Sequence, residues 1–97
     1  MIEYLYDAIR ATAGQEIVVA AVITDIDDLP ITSGCSFSLY DDDRHLQEID
    51  GSFNSDTGEW HFVLPVRLTQ TLAKGRYWYC INYEHQSLSF KQPLYLV

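Results

Sequence analysis

Apolar and polar residues alternate with a period near two in short stretches, and turn-forming residues separate the stretches, which is the pattern of an all-β chain. The turn signals are Gly14-Gln15, Asp27-Asp28-Leu29-Pro30, Ser33-Gly34, Asp41-Asp42-Asp43, Asp50-Gly51, Asn54 to Gly58, Lys74-Gly75 and Glu84-His85-Gln86. Cys35 to Tyr40 sends Cys35, Phe37 and Leu39 to one face and Ser36 and Ser38 to the other. Glu59 to Leu64 does the same with Trp60, Phe62 and Leu64 inward and Glu59 and His61 outward. His45 to Ile49 reads as a short polar strand. Arg76 to Tyr83 carries an aromatic cluster, with Tyr77, Tyr79 and Ile81 inward and Trp78 and Cys80 outward.

Three segments break the simple alternation. From Ile17 to Ile23 the strand Gln15 to Asp25 is continuously apolar, which predicts cover on both of its faces. Leu88 to Val97 is the last strand, and Pro93 predicts that it lies at an edge or bulges there, since proline donates nothing to a ladder. Ile2 to Ala11 fits two patterns. Ile2, Tyr4 and Tyr6 alternate, while Ile2, Leu5, Ala8 and Ile9 form a helical stripe; the tyrosines and the neighbouring strands favour β.

Seven short strands in 97 residues, without repeats or linkers, predict a single domain over 1–97: an immunoglobulin-like β-sandwich of antiparallel strands in Greek-key topology. One motif sharpens this. Leu72-Ala73-Lys74-Gly75-Arg76-Tyr77 reads L-x-x-G-x-Y, the pattern that precedes the penultimate strand of such sandwiches. It makes Leu72, Gly75 and Tyr77 a structural corner, with the Tyr77 hydroxyl expected to bond back to the corner backbone.

Charge narrows the partners. Six basic against fourteen acidic side chains give a net charge of −8. Nucleic acid and anionic lipid both need clustered Lys and Arg, so neither is an expected partner. No apolar run approaches the roughly 20 residues that span a bilayer. The start Met1-Ile2-Glu3-Tyr4 is acidic, unlike the basic head of a signal peptide. The two cysteines, Cys35 and Cys80, fall on opposite strand faces, which argues against a disulfide and for two free thiols in a reducing compartment. The expected location is a reducing cytoplasm rather than the secretory route.

Candidate chemistry is sparse. Asp25, Asp27 and Asp28 form one acidic cluster and Asp41, Asp42 and Asp43 another. Asp50, Ser52, Asn54 and Asp56 open like a calcium loop, but Ser55 stands where its glycine belongs and His61 where its closing glutamate belongs. Turn-forming aspartates account for the same residues, and no metal or other cofactor is expected. His45, His61 and His85 fall at polar positions, and no motif joins a nucleophile to a base, so no catalytic residues are assigned. Among the outward groups Trp78 is the strongest interface candidate, with Cys80 beside it and Pro93 marking an exposed edge.

The order of these motifs resembles a known family. Ala13-Gly14-Gln15-Glu16-Ile17 opens an apolar strand; Ile23-Thr24-Asp25 leads through a turn to Pro30-Ile31-Thr32. Asp56-Thr57-Gly58-Glu59-Trp60 and Leu72-Ala73-Lys74-Gly75-Arg76-Tyr77-Trp78-Tyr79 follow. The series is similar to the N-terminal immunoglobulin-like modules of phage baseplate and tail-associated proteins. That resemblance implies a structural or assembly component of a phage or prophage particle, with phage structural proteins or a second copy of itself as partner. The alternative is a calcium- or carbohydrate-binding sandwich domain of the adhesin type.

Overall fold

The segments assemble as two packed sheets in the computed structural model, which describes residues 8–84, 86–88 and 91–97. Among these residues the strands are β1 (Ile9–Ala11), β2 (Ile17–Ala21), β3 (Cys35–Asp41), β4 (Arg44–Asp50), β5 (Ser52–Asn54), β6 (Glu59–Leu64), β7 (Gly75–Tyr83), β8 (Gln86–Ser87) and β9 (Gln92–Leu96). A single helical turn, α1 (Val66–Thr69), follows β6. The larger sheet runs β1-β9-β7-β3-β4, with β8 continuing the β9 side of β7, and the smaller runs β2-β6-β5. The protein is therefore mostly β, in a sandwich-like arrangement.

The inner faces come from the alternation in the sequence. Cys35, Phe37, Leu39, Tyr77, Tyr79, Ile81, Leu94 and Leu96 of the larger sheet meet Ile17, Val19, Ala21, Trp60, Phe62 and Leu64 of the smaller, all buried. Aromatic rings tie the layers together: Phe37 stacks on Tyr79 at 5.2 Å and meets Phe62 across the gap at 6.0 Å. Trp60 donates its indole N–H to the Ile31 carbonyl at 2.6 Å, so its one polar atom is satisfied inside. Gly51 sits where the chain passes from one sheet to the other. A Cβ there would lie 2.5 Å from Phe62 and 2.7 Å from Trp60, so the aromatic layer occupies the space that any side chain would need.

Several expectations change. The strand expected over Gln15 to Asp25 is shorter, and only one of its faces is covered: Val18 and Val22 are more than half exposed. Residues 23–31 instead close a turn, with the Ile31 N–H on the Ile23 carbonyl and the Asp25 N–H on the Leu29 carbonyl. The strands are not all antiparallel, because β1 pairs with β9 in parallel. The last strand is not an edge. Its Leu94–Leu96 part lies between β1 and β7, and β1 stops short of Pro93, where no N–H is needed on that side. The helical turn α1 was not expected; Thr69, fully buried, donates to the Gln15 carbonyl at 2.8 Å and ties α1 to the start of β2. The alternation of Ile2, Tyr4 and Tyr6, and His85, lie outside the described residues.

Candidate functional site

The predicted interface residues sit on the outer face of the larger sheet. The register lines up Pro93, Trp78, Tyr40 and His45 across β9, β7, β3 and β4. Trp78 is half-buried, with the Arg76 guanidinium over its ring at 5.0 Å. Lys91 lies over the Tyr40 ring at 4.0 Å and reaches the Asp43 carboxylate at 3.8 Å. Asp42, Asp43, Trp78 and Lys91 line an open cleft. Cations thus already occupy the aromatic faces that a partner would use.

Cys80 shares this outer face but is 1% exposed, so the sequence-based placement of it at an interface is corrected: it presents no surface. What buries it is a polar layer that the sequence reading missed. Asn82 is its centre. Its side-chain N–H groups donate to Ser38 Oγ at 2.7 Å and Ser36 Oγ at 3.2 Å, and its oxygen accepts from Ser87 Oγ at 3.3 Å. Ser36 in turn donates to Glu48 at 2.6 Å. Cys80 Sγ lies 3.5 Å from the Asn82 oxygen, 3.6 Å from Ser87 and 3.9 Å from the Tyr40 hydroxyl. Burial, and then the neighbouring Cys80, push the Tyr40 hydroxyl pKa up. The signal in the sequence was the matched Ser-x-Ser of β3 opposite the Cys-x-Asn of β7.

The corner residues come together. Tyr77 donates its hydroxyl to the Ala73 carbonyl at 2.7 Å, Leu72 packs against the core, and Gly75 opens β7. Burial and the charge of Asp41 raise the Tyr77 pKa. The acidic turns are locally engaged. Asp25 accepts from the N–H groups of Asp27 and Leu29, and Asn54 from that of Asp56. Among the described residues no group of three or more His, Cys, Asp or Glu is gathered as a metal site. Both cysteines are free, and burial pushes the Cys35 thiol up to about 11, which keeps it protonated and unreactive at neutral pH.

The smaller sheet offers the more exposed apolar surface. Val18, Val22 and Val63 are 53%, 58% and 41% exposed, and Val18 and Val63 are direct cross-strand partners. Past Val63 the surface dips into a groove of about 570 Å³ between β4 and α1, lined by apolar Ile49, Pro65 and Leu68 and by polar Gln47, Glu48, Arg67 and Thr71. Compared with known protein families, curated proteins and solved structures, the chain matches none of them.

Proposed function

We propose that this chain is a non-catalytic protein-interaction module, a structural or assembly component of a phage or prophage particle, on an immunoglobulin-like Greek-key frame. The observation that carries the interaction reading is the outer face of the smaller sheet. Val18, Val22 and Val63 stand exposed there, and a groove of mixed polar and apolar lining continues the surface past Val63. The frame draws support from the strand order β1-β9-β7-β3-β4 and from the Tyr77 hydroxyl closing the turn before β7. The particle reading draws on the order of sequence motifs. The acidic turns lend the calcium alternative no support, since Asp25 and Asn54 accept from the backbone of their own turns.

The test is incorporation. Particles purified after prophage induction in the encoding bacterium are expected to contain the chain by mass spectrometry. The Val63→Lys variant is expected to be depleted from them, with its circular dichroism unchanged. Particles free of the chain would defeat the particle reading, and wild-type incorporation of Val63→Lys would defeat the assignment of this face.

A further inference from the structure

Among the described residues the strands that end the two sheets are β1, β4, β5 and β2, and the first three are blunted. β1 is three residues long and carries Arg10. β5 is also three residues long. β4 carries Arg44, Glu48 and Asp50, and its pairing with β3 is interrupted by a register shift at Leu39/Tyr40. Short length, charge and irregularity are the usual means of keeping an edge from pairing with another chain. β2 has none of them. From Ile17 to Ile23 there is no charge, proline or glycine.

The β2 edge is also open in its hydrogen bonding. Among the described residues β2 pairs only with β6. The Ile17–Leu64 pair adjoins Pro65. Pro65 has no N–H for a bond to Glu16, so Ile17 and Leu64 must exchange both bonds directly. Alternation then turns the N–H and C=O of Val18 and Ala20 away from β6.

The sequence of this edge is nearly a palindrome. About Ala20, Ile17 mirrors Ile23, Val18 mirrors Val22 and Val19 mirrors Ala21. We propose that two copies of this chain pair their β2 strands edge to edge, antiparallel, about a twofold axis at Ala20. The pairing joins two three-stranded sheets into one of six strands. Exposed Val18 of one copy covers Val22 of the other, and every opposed pair from 17 to 23 is apolar. Beyond the apolar run Glu16 faces Thr24 and Gln15 faces Asp25, so no acid directly opposes an acid. This deepens the interaction reading by naming a second copy as the partner, and it rests on that reading.

The test uses the full chain. Sedimentation equilibrium from about 1 to about 200 μM is expected to show a dimer of twice the 11.2 kDa monomer. Each copy carries −8, so the dimer is expected to tighten as salt rises through about 0.15 M, where charges are screened beyond about 8 Å. Val18→Lys is expected to raise the dissociation constant about tenfold or more with the melting profile of the monomer retained, while Val63→Lys leaves dimerisation in place. An Ala20→Cys variant supplies a reading independent of affinity. Hydrogen-bonded antiparallel partners have Cα atoms about 5.5 Å apart, within disulfide range, so oxidation is expected to link two copies through residue 20. Cys35 and Cys80 are buried and do not compete. A monomer throughout with no Ala20→Cys cross-link, or a dimer that Val18→Lys leaves unchanged, would overturn the pairing. A monomer would leave the particle experiment with Val63→Lys as the separate trial of the interaction reading.

Discussion

At the scale of single residues the chemistry is that of buried groups kept neutral. Cys35 lies among Phe37, Leu39 and the inner face of the smaller sheet, and burial lifts its thiol from 9.0 to about 11. The folded state therefore holds this proton more tightly than the unfolded chain does. Below about pH 9 both states are protonated and nothing is lost; between 9 and 11 the unfolded thiol ionises first, and stability falls. Raised hydroxyl pKa values at Tyr40 and Tyr77, both pushed first by burial, act in the same direction. Urea denaturation at steps from neutral to alkaline pH is expected to show this decline. Its slope between pH 9 and 11 should be shallower in Cys35→Ala; an identical slope would mean that Cys35 ionises equally in both states.

At the scale of elements, β3 and β7 are buried on both faces by different means. Their inner face is aromatic and aliphatic; their outer face is closed by the Asn82 layer. Ser36, Ser38 and Asn82 are all at most 5% exposed, so each depends on the others for its hydrogen bonds. Asn82→Ala would leave the buried Ser38 and Ser36 hydroxyls without their donor. A loss of about 1–3 kcal/mol is expected, measured by denaturant titration, because stranded buried polar groups carry their desolvation cost uncompensated. Replacing Ser38 and Asn82 together by apolar residues of similar size should cost less than the sum of the two single replacements, since the pair bond each loses is the same one.

At the scale of the whole molecule the balance of charge acts on the fold as well as on its contacts. Fourteen acidic groups against six basic ones leave the surface self-repelling, and the ion pairs seen, such as Arg44–Asp41 at 3.7 Å, are exposed and weak. The melting temperature of Val18→Lys, at a concentration where sedimentation shows it monomeric, is therefore expected to rise with sodium chloride. A flat response in calorimetry would show that the charges are spaced too widely to matter. Using that variant separates repulsion within one copy from the salt dependence of pairing between copies.

The alternating stretches of the sequence determined most of the fold. Phe37, Leu39, Trp60, Phe62, Tyr77, Tyr79 and Ile81 face the core because a period of two allows one buried face per strand, and each polar neighbour marks the other side. The same logic made the turn before Tyr77 legible, since only a short L-x-x-G-x-Y spacing lets the hydroxyl reach back four residues to Ala73. Tertiary structure decided the rest, because pattern says which face is apolar and not what lies against it. The continuous run Ile17–Ile23 looks buried on both sides in sequence, yet it became an edge strand with Val18 and Val22 exposed. Ser36, Ser38 and Cys80 look solvent-facing, yet pairing brought them to Asn82, where they could be buried. Pro93 does lie where β9 is paired on one side only, yet β1 covers the strand from Leu94 onward, so the strand as a whole is not an edge. In each case the deciding fact is the neighbour brought by a distant part of the chain, which no local spacing specifies.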